Sequence, residues 1–175
     1  FITGSLGSVD AIKIVDNVKN RIEHLLKDGY EVFFTRDTHT TNYKNTLEGK
    51  YLPVPHCVIG TDGWEIIPEL AGYKNITINK GTFGFNDWKT FIGDSDDIEI
   101  ELMGVCTDIC VISNALILRM LYPNSRIVVH ANCCAGVTPE KHNAALEVMR
   151  SCQIDIVEDF TRLVVAEAYV VELDL

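Results

Sequence analysis

Apolar residues recur along the chain with two alternating periods, one typical of helices and one typical of buried strands. Residues 8–28 place apolar side chains three or four positions apart and precede Gly29, so they predict an amphipathic helix with a glycine cap. Residues 30–35 are mostly apolar and short, which indicates a buried strand. The same two periods predict further strands at 76–79, 97–103, 126–131 and 154–157, and helices at 64–70, 86–92, 109–122 and 139–151.

This alternation of strands and helices predicts an α/β fold of three layers, a doubly wound and mainly parallel sheet covered on both faces. Two segments depart from the alternation. Residues 36–63 form a polar loop rich in Thr, Asn, Gly and Pro, and loops of this length are usually functional. Residues 168–175 form one more apolar strand, which closes on the acid Asp174.

Size and charge limit the classes of protein to which this chain can belong. The chain has 175 residues, 47% of them hydrophobic, which suits a single domain over residues 1–175. A formal net charge of -10 argues against nucleic acid and anionic membranes as partners. No apolar stretch approaches the roughly 20 residues that span a bilayer, and no secretory signal precedes Phe1, so we expect a cytoplasmic protein with free cysteine thiols.

The first candidate for chemistry is Cys110, at the junction of the strand 97–103 and the helix 109–122. The segment Gly-Val-Cys-Thr-Asp-Ile-Cys at 104–110 predicts a sharp turn, with Thr107 or Asp108 as the helix cap. The free N–H groups of a first helical turn favour a thiolate and lower the thiol pKa, and they can also hold an oxyanion. The alternative is that Cys110 is simply a small buried apolar residue.

The polar loop holds a set of side chains that suit a divalent metal. Asp37 and His39 follow the strand 30–35 directly, and Glu48 and His56 lie further along. Two imidazoles with one or two carboxylates suit zinc above all, with iron or manganese as alternatives. Such side chains in a polar loop are equally compatible with simple solvation, but their place after a parallel strand favours a ligand site.

Lys80 ends the strand 76–79 at the same edge of the sheet as Cys110. An ammonium within about 4–6 Å of a thiol favours the thiolate. The alternative is a solvated surface lysine.

These motifs resemble those of the isochorismatase-like cysteine hydrolases, and among them the nicotinamidases. The resemblance rests on 104–110, on Arg-Asp-Thr-His at 36–39, on Pro-His-Cys at 55–57 with Gly-Thr at 60–61, and on Lys80 before a turn rich in Gly and Phe. It implies the isochorismatase-like hydrolase fold and a cis peptide bond just before Cys106. The implied roles are nucleophile for Cys110, catalytic lysine for Lys80, oxyanion hole for the backbone N–H groups of Cys106 and Cys110, and metal ligands for Asp37, His39 and His56, with Glu48 as a fourth.

The chain departs from the family pattern at two places. Leu52-Pro53 replaces an aromatic residue that often stacks on the substrate ring, so stacking falls to Phe1, Tyr51, Phe85 or Trp64, with Phe1 and Phe85 expected in the pocket. The family also opens with a central strand that carries the catalytic base, and this chain begins just after it. We expect residues 168–175 to fill that place by a circular rearrangement, with Asp174 as the base; the alternative is an omitted first strand and an ordinary tail.

The expected activity is conversion of nicotinamide to nicotinic acid and ammonia through a cysteine thioester, with the metal ion holding the pyridine nitrogen. One alternative is hydrolysis of another small amide or carbamoyl compound. A second is a non-catalytic α/β module that binds a small molecule, although no glycine-rich phosphate motif supports it. The expected partner is a small amide, and whether identical chains assemble stays open.

Overall fold

The computed structural model describes residues 1–73, 75–158 and 168–175. Within these residues six strands form one sheet in the order β2-β1-β6-β3-β4-β5, and every neighbouring pair is parallel. The strands are β1 Glu31–Asp37, β2 Ile76–Lys80, β3 Glu99–Val105, β4 Arg126–Ala135, β5 Asp155–Val157 and β6 Ala168–Leu173. The helices are α1 Val9–Lys27, α2 Leu47–Tyr51, α3 Pro68–Ala71, α4 Trp88–Ile92, α5 Ile112–Leu121 and α6 Pro139–Ser151.

Alternation along the buried strands assigns their side chains to two cores. Val32 and Phe34 of β1 pack with α1 and α3 on one face, whereas Phe33 packs with α4, α5 and α6 on the other. Ser8 caps α1 by accepting a hydrogen bond from the backbone N–H of Ala11 at 3.0 Å. The result is the predicted sandwich of helices, parallel sheet and helices.

Strand β6 lies between β1 and β3, in the middle of the sheet. Leu173 pairs with Thr35 on one side and with Gly104 on the other. The next residue, Asp174, has a φ of 59° and donates its backbone N–H to the carbonyl of Thr35 at 3.2 Å. The acid therefore lies at the carboxyl edge of the sheet, where parallel folds bind ligands.

Outside the turn that carries Cys110, local structure differs from the expected elements in three places. The helix predicted at 64–70 is instead a 3-10 turn at Asp62–Trp64 followed by α3, because Pro68 is favoured at the start of a helix and not within it. The polar loop contains a 3-10 turn at Tyr43–Asn45 and α2, which Thr46 caps. Strand β4 extends to Ala135 and buries both Cys133 and Cys134.

All six cysteines are free, as expected. Among the described residues, no helix is both long enough and apolar enough to cross a membrane.

Candidate active site and metal centre

Four buried side chains meet at the carboxyl edge of the sheet. Asp37 ends β1, Lys80 ends β2, Asp174 follows β6, and Cys110 lies in the turn after β3. Lys80 Nζ lies 2.7 Å from Asp174 Oδ2 and 3.5 Å from Cys110 Sγ, and it also contacts the carboxylate of Asp37. The Asp37 backbone N–H donates to Asp174 Oδ1 at 2.8 Å. The sulfur therefore shares its surroundings with an ammonium and two carboxylates.

The turn that carries Cys110 differs in detail from the expected cap. The Val105–Cys106 peptide bond is cis, as the resemblance implies, and a π-helical turn at Thr107–Val111 precedes α5. Such turns occur frequently at functional sites. The cap position belongs to Cys106 and has no side-chain cap, so the assignment to Thr107 or Asp108 is wrong.

Thr107 and Asp108 bond to neighbouring elements instead. The Asp108 carboxylate accepts the backbone N–H of Val137 at 2.8 Å, and the Thr107 hydroxyl lies 2.7 Å from His142 Nδ1. These contacts join the turn that carries Cys110 to Val137, which follows β4, and to His142 of α6.

The electrostatics of Cys110 also differ from expectation. Burial, together with the negative charge of Asp174, raises the pKa of the Cys110 thiol well above its ordinary value, although Lys80 opposes the change. Burial opposes the charge of Lys80, but Asp174, Cys110 and Asp37 together raise its pKa. The resting site thus holds a protonated thiol beside a firmly charged ammonium. A carboxylate oxygen of Asp174 lies within 4.8 Å of Sγ.

The predicted metal ligands converge beside this cluster. Ligand atoms of Asp37, His39 and His56 all lie within 4.8 Å of one another. Glu48 Oε1 lies 3.5 Å from His39 Nε2 and 3.6 Å from His56 Nε2. His56 Nδ1 is 2.9 Å from the Val54 carbonyl oxygen, which directs Nε2 toward the other ligands.

The donor set fits a divalent ion. His39 Nε2 is buried and has no hydrogen-bond partner among the residues that the structure describes. Burial lowers the pKa of His39, which favours the neutral imidazole that binds metal. A buried ring nitrogen without a hydrogen bond is costly unless something binds it, and two imidazoles with carboxylates are typical zinc ligands.

A cavity of about 440 Å³ is lined by members of the Cys110 cluster and by members of the predicted metal-ligand set. Cys110, Asp37, Glu48 and His56 are among the residues that line it, and its walls are mainly apolar. Phe1 lines it as predicted, but Phe85 does not. Phe85 packs edge-on against Trp88 and Phe91 in the core, whereas Phe83, which is 41% exposed, lines the cavity together with Leu52 and Val137.

The remaining aromatic candidates lie elsewhere. Tyr51 is almost fully exposed, and Trp64 stacks against the guanidinium of Arg36 at 3.3 Å from the ring centroid.

Comparison with known proteins identifies the family. A family model described as an isochorismatase domain matches residues 1–159. The chain belongs to the isochorismatase family. The uncharacterized isochorismatase family protein PncA of Bacillus subtilis is 26% identical to it over 144 residues, or 76% of this chain and 77% of that protein. The nicotinamidase of Schizosaccharomyces pombe is 30% identical over 132 residues, or 67% of this chain and 56% of that protein.

Solved structures of isochorismatase-family proteins share the fold. The nicotinamidase/pyrazinamidase PncA of Bacillus subtilis superposes with a TM-score of 0.72 at 26% identity, covering 83% of this chain and 85% of its own. The pyrazinamidase of Pyrococcus horikoshii, solved in complex with zinc, has a TM-score of 0.77 at 24% identity, covering 91% and 92%. The predicted family resemblance and α/β fold class are confirmed.

Within this isochorismatase-family site, the backbone roles stay predictions. Cys106 and Cys110 both line the cavity, which is compatible with the predicted oxyanion hole. A buried polar residue beside the site that was not predicted from the sequence is Asn114, four positions after Cys110, which bonds to the turn that carries Cys110. In the sequence, Asn114 stands out as an amide side chain within the mainly apolar stretch 109–118.

Proposed function

We propose that this chain hydrolyses nicotinamide to nicotinic acid and ammonia through a thioester on Cys110. The observation that carries the proposal is the meeting of Cys110, Lys80 and Asp174 beside a converging set of candidate metal ligands. Cys110, Asp37, Glu48 and His56 of these two groups line one cavity. Similarity to proteins named nicotinamidase and pyrazinamidase supports the choice of substrate.

The chain's own groups supply each proton transfer. Asp174 takes the proton of Cys110, and the sulfur attacks the amide carbon while Lys80 stabilises the thiolate. The backbone N–H groups of Cys106 and Cys110 hold the oxyanion. Protonated Asp174 then gives its proton to the amide nitrogen, and ammonia leaves as the thioester forms. Asp174 next removes a proton from water as the water attacks the thioester, and it returns that proton to the leaving sulfur, which releases nicotinic acid and the free thiol.

Asp37, His39 and His56, with Glu48, would hold the divalent ion, for which zinc is the preferred candidate. When bound, the ion supplies a Lewis acid to which the pyridine nitrogen of the substrate can bind. Phe1 and Phe83 border the cavity and would flank the substrate ring.

We also propose that β6 serves in this chain as the central strand that the family places first, with Asp174 as the base. Support comes from its parallel pairing with both β1 and β3 and from the 2.7 Å contact between Asp174 and Lys80.

The test is ammonia release from nicotinamide by the purified protein, with and without a chelator, alongside metal analysis. We expect release that depends on the metal and is restored by added zinc. No release from the zinc-loaded protein would exclude nicotinamide as the substrate.

The lining of the cavity favours testing a second candidate function, the hydrolysis of another small amide or carbamoyl compound. The cavity is mostly apolar, and Leu52 contributes to its wall where relatives often place an aromatic side chain. A panel of small amides and carbamoyl compounds assayed in parallel therefore separates a nicotinamidase from a hydrolase of another amide. Failure across the whole panel would favour a binding module.

A further inference from the structure

Asn114 uses its whole side-chain amide to connect two parts of the site. It is fully buried on α5. Its Nδ2 donates to the carbonyl oxygen of Cys110 at 2.9 Å and to that of Phe83 at 3.1 Å. Its Oδ1 accepts from the backbone N–H of Phe85 at 2.9 Å and from Trp88 Nε1 at 3.2 Å. An amide offers two donors and two acceptor lone pairs, so this residue makes every hydrogen bond available to it.

The segments joined by this amide carry the reacting groups. One is the turn that holds Cys110. The other, residues 81–85, follows Lys80 directly, and its Thr82 carbonyl lies 3.5 Å from Lys80 Nζ. Phe83 of the same segment lines the cavity. The side chain therefore bridges the backbone of the nucleophile and the backbone next to its ammonium.

We propose that Asn114 is a positioning residue that sets the separation of Cys110 and Lys80. The inference rests on the proposed function, because it assigns Asn114 a part in the same reaction. Without the amide, the carbonyl groups of Cys110 and Phe83 lose a buried donor, and the two segments are no longer linked through one side chain. The sulfur and the ammonium then move apart by a fraction of an ångström, which is enough to slow a reaction that depends on alignment.

Two variants and one control test this role. Asn114→Ser can still donate to the Cys110 carbonyl four residues earlier, but it cannot reach residues 83–88. Asn114→Asp keeps the shape and loses both donors. The matched control is Ser113→Ala on the same helix, because Ser113 Oγ bonds only to the Ile109 carbonyl at 2.6 Å among the hydrogen bonds of the described residues. Melting temperatures establish that each variant folds, and Asn114→Ser decides the matter if Asn114→Asp does not fold.

We expect Asn114→Ser to lower kcat for nicotinamide by about 10-fold or more while KM changes by less than about threefold. Ser113→Ala should leave both constants near the wild-type values. Unchanged kcat in Asn114→Ser, or an equal loss in the control, would overturn the proposal.

A second readout does not depend on the substrate. Iodoacetamide labelling of Cys110, followed by mass spectrometry of its peptide, should be slower in Asn114→Ser than in wild type and in the control, because the ammonium no longer supports the thiolate. An unchanged or faster rate would contradict the positioning role. If the wild-type protein releases no ammonia from any amide, the proposed function fails, and this labelling comparison still decides the role of Asn114.

Discussion

Two of the buried charge clusters differ in how their carboxylates are matched. The core cluster, Arg21, Glu101 and His130, joins α1 to strands β3 and β4. There Arg21 binds Glu101 through two hydrogen bonds of 2.6 and 2.9 Å, and His130 Nε2 lies 2.7 Å from the same carboxylate. The site cluster, Asp37, Lys80, Cys110 and Asp174, instead gathers two carboxylates and a thiol around one ammonium.

The two clusters shift their acids in opposite directions. Burial raises the pKa of Glu101, but hydrogen bonds from His130 and Arg21 outweigh it and the net change is downward. Burial and the charge of Asp174 raise the pKa of Asp37 to about 6, against the influence of Lys80. In the core cluster, donors and acceptors are matched, and this arrangement stabilises the fold. In the site cluster, the excess of acidic groups suits proton transfer and the binding of a cation. Variants of each cluster should therefore separate activity from stability.

The largest expected effect comes from removing the sulfur. Cys110→Ala should lower turnover by at least about 10⁴-fold while the melting temperature stays close to wild type, because only the nucleophile is lost. Ammonia release and thermal unfolding measure the two properties. Cys152→Ala, at the end of α6, is the control and should remain active. Turnover of the Cys110 variant close to wild type would remove the proposed nucleophile.

Removing the base should have the next largest effect. Asp174→Asn keeps an oxygen for the Asp37 N–H but cannot accept the thiol proton, so kcat should fall by about 10² to 10⁴-fold. Steady-state kinetics on folded protein measure it. A normal kcat in this variant would assign the base to another residue.

Removal of the metal should affect both activity and stability. A bound ion at about 1,000 times its Kd stabilises the folded state by about 4 kcal/mol, so a chelator should lower the melting temperature as well as ammonia release. His39→Asn should bind less zinc and show a smaller chelator effect. Equal chelator shifts in the variant and wild type would place the ion elsewhere.

The core cluster should behave in the opposite way. Arg21→Met leaves the Glu101 carboxylate buried without its bidentate partner, which should lower the free energy of unfolding by about 3–5 kcal/mol. Where the variant is folded, kcat should match wild type. Arg150→Met is the control, because its exposed pair with Glu147 should contribute less than about 1 kcal/mol. If Arg21→Met were as stable as wild type but had a reduced kcat, the core cluster would serve activity and not stability, and the contrast between the clusters would be wrong.

The smallest expected effect is a dependence of stability on pH. The pKa of Glu101 in the fold lies below its ordinary value of 4.5, so its ionised form stabilises the protein above that pH and the contribution is lost as pH falls through the folded value. Denaturant unfolding from pH 6 to 3 should therefore show a steeper loss for wild type than for Glu101→Gln. Parallel curves would mean that Glu101 does not contribute to acid unfolding.

Regular periodicity explains which features the sequence could predict. The strands, α1 and the strand-turn-helix around Cys110 follow from runs of apolar residues, because each needs a buried face. The proposed metal ligands and Lys80 were predicted from their position after parallel strands. Asp174 came from the apolar strand that precedes it.

Irregular segments explain what the sequence could not predict. In residues 81–87 no repeating period fixes which side chains point toward the cavity, so Phe85 was chosen where the turn presents Phe83. The pKa of the Cys110 thiol is raised by burial and by acids that lie far away in the sequence but close in space. An argument from the local helix alone does not include them. The cap at Thr107 and Asp108 failed because Val137 and His142, about 30 residues later, bind those side chains.

The central place of β6 also has a consequence for how the molecule folds. β6 pairs with β1 across a separation of more than a hundred residues, and the Asp37–Asp174 hydrogen bond spans 137 positions. Until residues 168–173 insert, β1 with β2 and β3 with β4 are two separate halves of a sheet. Contacts of such long range slow folding, so we expect slow, cooperative refolding in which the proposed catalytic groups assemble only when the two halves join.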